Sequence, residues 1–246
     1  MTYLKVNYGV LITARLKSKR LKKKIIRKIN KDTLISFLIK RLKSEFKNNK
    51  IILITSRSNQ DKKLIDISKE EKINFFTGEP KDVLKRIYDA SKKFKLKYVL
   101  SCTADNPFID TIHARKLMNF HIKNKNDLSI MKGLPIGLFS YALSVNALKK
   151  VLKSKASSDT ETWIPYFTEN KELKVGYYKV NLRFNKKLRL TVDTKKDLKL
   201  IKKVLELCEN QQPNTNEILN IIKKNPSLIK INSDIKQKKV SKPKFK

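Results

Sequence analysis

The stretch Val10-Leu11-Ile12-Thr13-Ala14-Arg15-Leu16-Lys17-Ser18-Lys19-Arg20-Leu21-Lys22-Lys23-Lys24 decides how this chain is read. Its first residues form a short apolar run with β-branched side chains, the pattern of a buried strand. The run then breaks into a loop bearing Arg15, Ser18, Arg20 and Lys24. A buried strand is thus expected to deliver guanidinium, hydroxyl and ammonium donors to one sheet edge. Ligands of α/β sheets bind outside the carboxyl ends of the strands, and such donors suit an anion, phosphate above all. A solvated basic loop is the plain alternative in a chain so rich in lysine.

Outward from this stretch, Leu34, Ile35, Leu38, Ile39 and Leu42 recur at helical spacing behind Asp32 or Thr33 as N-cap. Ile51-Ile52-Leu53-Ile54-Thr55 is the unbroken apolar run of a parallel strand buried on both faces, and it ends in a polar loop that begins at Ser56. A helix is expected over 64–72 and a short strand over 74–77. Next comes Gly78-Glu79-Pro80-Lys81-Asp82-Val83-Leu84-Lys85-Arg86. Gly78 permits a positive φ or a close backbone approach, and Asp82 suits a helix start. A strand over 97–103 leads into Ala104-Asp105-Asn106-Pro107, where a carboxylate just past a central strand is well placed to hold Mg²⁺. Further helices are expected over 111–123 and 145–153, with strands over 127–131 and 177–182.

Another strand should end at Asp193, followed by a helix that Thr194 or Asp197 begins and that aligns Leu198, Ile201, Val204 and Leu205. A last helix is expected over 216–224. Alternating strands and helices imply an α/β fold, a mostly parallel sheet with right-handed crossovers. The reading is one domain over 1–232 and a lysine-rich tail, 233–246, that lacks an apolar period and is expected to be disordered.

A chain of 246 residues with 40% hydrophobic content can bury one substantial α/β core. No stretch reaches the roughly 18 consecutive apolar residues of a membrane helix, and Arg15 interrupts the N-terminal run. The expected compartment is therefore the cytoplasm. Cys102 and Cys208 lie far apart and form no C-x-x-C pair. His113 and His121, eight residues apart in one expected helix, would be separated by about 12 Å, too far to share a metal. The formal charge of +36 would ordinarily point to nucleic acid, but the lysines run along the whole chain without an arginine-rich helix or an aromatic RNA-binding motif. No specific nucleic-acid partner is expected, only salt-sensitive sticking.

The pattern Arg15-x-x-Ser18-x-Arg20-Leu21-x-x-Lys24 resembles the A-R-x-x-S-x-R-L-P-x-K signature of the cytidylyltransferases that activate acidic sugars. These include the acylneuraminate and deoxy-octulosonate enzymes and the spore-coat polysaccharide branch. Arg189-Leu190-Thr191-Val192-Asp193-Thr194-Lys195-Lys196-Asp197-Leu198 is similar to the family's R-L-T-V-D-T-x-x-D-L segment, and the resemblance spans roughly residues 9 to 232. Three departures stand out. Lys22 replaces a proline, Ala104 replaces the glycine of G-D-x-P, and Tyr141 replaces the glutamate of G-x-x-x-E-V-x-S.

The resemblance implies a Rossmann-like, three-layer nucleotide-diphospho-sugar transferase fold that moves CMP from CTP to an acidic sugar. It implies Mg²⁺ on Asp105 and Asp193, and Arg15, Arg20 and Lys24 as the catalytic cations. Ala14, Ser18, Ser56, Gly78, Asp82 and Arg86 would line the nucleotide, although Asp82 reads equally as a helix cap. Tyr141, Asp159 and Glu161 fall in the acceptor region, where the two acids either contact sugar hydroxyls or cap the helix that Trp163 anchors. A homodimer is usual in the family. The three departures also fit a nucleotide-binding or scaffold subunit without turnover.

Overall fold

A computed structural model describes residues 7–18, 20–237 and 240–246. A seven-stranded sheet forms the middle layer, built from β1 (Tyr8–Thr13), β4 (Ile51–Ser56), β5 (Asn74–Gly78), β6 (Tyr98–Thr103), β7 (Leu128–Lys132), β8 (Tyr141–Ser144) and β9 (Val175–Lys179) in the order β5-β4-β1-β6-β8-β7-β9. Two short strands, β2 (Lys28–Ile29) and β3 (Asp32–Thr33), form a separate hairpin. Within the large sheet, β8 runs antiparallel to both of its neighbours and the other pairings are parallel.

Because strand side chains alternate, β1 serves two cores: Val10 and Ile12 face one side and Leu11 the other, all fully buried. The first core packs against α1 (Leu34–Lys43), α2 (Lys62–Glu70), α4 (Thr111–Lys123), α7 (Lys195–Glu206) and α8 (Thr215–Lys224), whose apolar stripes it buries. The second packs against α3 (Val83–Lys93), α5 (Val145–Ser154) and α6 (Pro165–Thr168). The last short helix is α9 (Ser227–Lys230).

From β1 the chain crosses to β4 and β5 on one side, then returns to β6 on the other. The order therefore reverses between β1 and β6, and the carboxyl ends of these strands open the crevice where ligands of such sheets bind. The two loops are tied there by Ala104 N donating to Thr13 O at 3.1 Å.

Three expectations need correction. The strand expected over 177–182 is β9, two residues earlier. The stretch expected as a strand ending at Asp193 is extended, but its ladder is one parallel bridge, Ile136 to Arg189. Its amides instead reach loops: Leu190 N donates to Ile136 O at 2.7 Å and Val192 N to Asp105 O at 2.8 Å. This crossing needs Gly137, whose φ is +103° and where a Cβ would lie 2.4 Å from the Leu190 carbonyl carbon.

The tail is also paired where disorder was expected. Phe245 forms an antiparallel bridge with Lys155, with Ala156 N donating to Lys244 O at 2.7 Å and Lys246 N to Ser154 O at 2.8 Å. The Phe245 ring stands edge-on to Tyr166, centroids 5.7 Å apart. One aromatic and a few backbone bonds leave no periodic trace in a sequence.

Candidate functional site

Lys24 is the centre of the crevice. It follows the loop from β1 and lies beyond Lys23, whose φ of 53° turns the backbone inward. Its Nζ donates to Asp105 Oδ2 and to Asp193 Oδ1, both at 2.7 Å. Arg20 pairs with the other Asp193 oxygen at 2.8 Å, and Arg189 Nη2 donates to the same oxygen at 2.5 Å. Burial by itself would lower the Lys24 pKa, but Asp105 and Asp193 outweigh it and hold the ammonium above its ordinary value. Burial likewise pushes Asp193 up, and the charges of Lys24, Arg20 and Arg189 bring it below the usual carboxylate value. The result is a charged knot drawn from three separate segments of the chain.

Asp193 owes its place to the turn that starts α7. Thr194 and Asp197 form a capping box, and the Asp197 carboxylate, fully buried, also accepts from Asp193 N, from Arg189 Nε at 3.1 Å and from Asn232 Nδ2 at 2.8 Å. Arg189, Asn232 and Asp197 as a buried anchor were not singled out from sequence. A signal existed in the spacing of Arg189, Asp193 and Asp197, four residues apart each time.

Among the residues expected to line a nucleotide, Ala14 is buried where the chain leaves β1, and its N donates to Ile54 O at 3.1 Å. Ser18 is half-buried in the loop that follows. Ser56 gives its hydroxyl to the buried Asp61, which also accepts from Leu16 N at 2.8 Å, so Asp61 fastens the loop after β4 to the loop after β1. Gly78 serves close approach rather than positive φ: a Cβ there would meet the Arg86 Cγ at 3.1 Å. Arg86 is buried, donates to Glu79 O, and is pushed down to about 10 by burial and then by neighbouring Arg15. Asp82 is the N-cap of α3, accepting from Lys85 N at 3.0 Å, and its carboxylate is taken up entirely by protein donors. The capping reading of Asp82 is the one the geometry matches.

The residues expected near an acceptor are held separately. Glu161 pairs with Arg15, which also donates to Pro80 O. Asp159 is exposed and accepts from Glu161 N at 3.3 Å, closing its own turn. Tyr141 stands in a chain of edge-on rings with Phe139 (5.7 Å) and Trp163 (5.4 Å), and burial pushes its hydroxyl to about 12. The two histidines lie apart from this crevice in their contacts: His113 pairs with Asp110 at 2.8 Å, and buried His121 bonds Ser129 Oγ at 2.9 Å. Cys102 and Cys208 are both free thiols.

Comparison with known proteins gives a consistent picture. Residues 9–226 match the family model described as cytidylyltransferase. An uncharacterized protein of Methanocaldococcus jannaschii is 32% identical over 231 residues, covering 93% of this chain and 95% of its own. The spore coat polysaccharide biosynthesis protein SpsF of Bacillus subtilis is 24% identical, covering 88% and 94%. A cytidylyltransferase structure from Leptospira borgpetersenii superposes with a TM-score of 0.86 at 26% identity, over 95% of this chain and 100% of that one.

Proposed function

We propose, since the chain belongs to the cytidylyltransferase family, that it moves CMP from CTP to an acidic sugar and releases pyrophosphate, in the making of a cell-surface polysaccharide or glycan. The observation that supports this reading most is the meeting of Lys24, Arg20, Asp105 and Asp193 at the carboxyl ends of β1 and β6.

The expected metal is Mg²⁺, and Asp105 and Asp193 would hold it. Their carboxylates already converge on one cation, each 2.7 Å from Lys24 Nζ. No group of three His, Cys, Asp or Glu side chains among the described residues offers an all-protein cage. Two carboxylates suit an ion that keeps waters and phosphate oxygens in its shell. Such an ion supplies Lewis-acid stabilisation of phosphoryl charge.

The chain's own groups do the rest. Arg15, Arg20 and Lys24 face the triphosphate, and an acceptor oxygen attacks the α-phosphorus in line as the bond to the β,γ-pyrophosphate breaks. The cations offset the charge that collects on the leaving pyrophosphate. Lys24 suits this role because a flexible stem lets its ammonium serve either carboxylate or phosphate.

The departures from the family pattern are absorbed without strain, which favours turnover over a scaffold role. Ala104 is not among the positive-φ residues and keeps its amide bond to Thr13. Lys22 is exposed, its carbonyl accepting from Arg27 Nε at 3.2 Å. Tyr141 packs rather than intrudes.

A thermal shift with CTP, UTP, ATP and GTP, with and without Mg²⁺, tests the donor. A ligand that binds only the folded chain raises the midpoint by mass action. A Mg²⁺-dependent rise selective for CTP is expected. Equal small rises with every nucleotide would mean that the basic surface merely gathers polyanions. Pyrophosphate release across a panel of acidic sugars then identifies the acceptor.

A further inference from the structure

Asp82 and residues 155–160 are remote in sequence and meet in the interior. Asp82 Oδ1 accepts from Lys85 N at 3.0 Å and from Thr160 Oγ1 at 2.9 Å, while Oδ2 pairs with Lys155 Nζ. Thr160 Oγ1 in turn accepts from Leu84 N at 3.0 Å, and Lys155 Nζ also donates to Ser157 O at 2.9 Å. The Lys155 and Asp82 side chains are 9% and 5% exposed, and Thr160 is fully buried. The arrangement is nearly closed: each oxygen of Asp82 has a protein partner, and little of either charged side chain reaches solvent.

An intact buried ion pair adds little stability over an apolar pair of the same shape, so its value lies in the geometry it specifies. Here that geometry joins two loops. Asp82 ends the loop whose Pro80 carbonyl accepts from Arg15 and whose Glu79 carbonyl accepts from Arg86. Thr160 precedes Glu161, which holds Arg15 from the opposite side. Lys155 is also where Phe245 of the tail is bridged.

We propose that Asp82, Thr160 and Lys155 form a positioning clasp that fixes the acceptor-side loop 155–161 against the nucleotide-side loop 78–82, so that a nucleotide ordering one loop orders the other. Thr160 and Lys155 are positioning residues that act through Asp82 and Glu161. The proposal rests on the reading of the site as one for CTP and an acidic acceptor.

Amide hydrogen exchange of the full chain with CTP and Mg²⁺ tests it without requiring the acceptor to be known. CTP should slow exchange in 79–86 and also in 157–162, the latter by about tenfold, inside the range usual for coupled sites. In Thr160→Val, which keeps shape and the Asp82–Lys155 pair, slowing should persist in 79–86 and vanish in 157–162. Thr160→Ser, which retains the hydroxyl, should restore it. Slowing of both segments in Thr160→Val overturns the clasp while leaving the nucleotide reading intact, as does slowing confined to 79–86 in the unaltered chain. Slowing of neither segment in the unaltered chain overturns both readings.

Discussion

Around Lys24 the polar groups sit at the ends of regular elements: Asp105 follows β6, Asp193 precedes α7, and the loop of Arg20 leaves β1. Around Glu161 the backbone of 157–162 is irregular, and what holds it is side-chain contact with the ends of α3 and α5 and with the tail: Thr160 on Asp82, Lys155 on Asp82, Phe245 on Tyr166. The first region inherits its precision from a sheet buried on both faces, where a one-residue slip would drive each side chain into the packing of the opposite core. The second depends on a few long-range contacts that must all form. The loop-built region can therefore vary while the sheet-built one is kept, since loops tolerate change that strands do not.

The largest expected effect separates the two regions by chemistry. Asp105→Asn and Asp193→Asn keep the shape of the carboxylates and remove the charge that would hold the metal. Each should lower pyrophosphate release by about 10²-fold or more, the scale usual for removing a preorganised electrostatic group. Asp159→Asn, on an exposed turn, should cost less than about tenfold, in line with a surface hydrogen bond. An Asp159 effect as large as that at Asp105 would break the comparison and place the acid of the acceptor loop in the chemistry itself.

Arg189 sharpens the contrast, because it ties the first region to the start of the tail. It binds Asp193 and Asp197 on one side and Gln237 of the tail on the other. Arg189→Met leaves two carboxylates without their guanidinium and should destabilise the chain by about 3 kcal/mol, in the range for breaking a buried pair from one side. At this size that lowers the melting midpoint by roughly 6–12 °C. Arg189→Lys should rescue little, since a point charge cannot serve acceptors spread around a fork.

The pH dependence carries a sign. Asp193 is held below its ordinary value of 3.8 by Lys24, Arg20 and Arg189 against the upward pull of burial. The stability it contributes is therefore present above the unfolded pKa and lost as pH falls through the folded one. The gap in midpoint between Arg189→Met and the unaltered chain should hold down to about pH 4 and narrow below it. A gap that narrowed near neutrality would assign the loss to some other group.

The two regions also differ in how far they could be read in advance. The strands β1, β4 and β6 were legible because burial on both faces leaves an unbroken apolar run, and α1, α3 and α7 because their caps and apolar stripes are local features. The charged loop after β1 was legible as a spacing of donors. Nothing local marks Thr160 or Lys155, whose partner Asp82 lies 78 and 73 residues away. The segment ending at Asp193 was misread as a strand for a related reason. Its β-branched residues fit a pleat, but Gly137 lets it pass over a loop instead.

The smallest expected effect concerns the tail, the element least visible in the sequence. Deleting residues 240–246 removes the backbone bonds to Ser154 and Ala156, the edge-on contact of Phe245 with Tyr166 and the bond between Ser241 and Thr162. A part-exposed aromatic pair and a few peripheral hydrogen bonds amount to about 1–2 kcal/mol, so the midpoint should fall by roughly 2–8 °C. Phe245→Ala alone should account for much of that fall, because without the ring the backbone pairing must be held against the entropy of a free chain end. The Mg²⁺-dependent shift with CTP should be unchanged by the deletion, since no described tail residue touches Lys24 or Asp105. A deletion that abolished the CTP shift would mean that Gln237 and the residues beyond it set the donor side through Arg189, and the division between a sheet-built half and a loop-built half would then have to be drawn elsewhere.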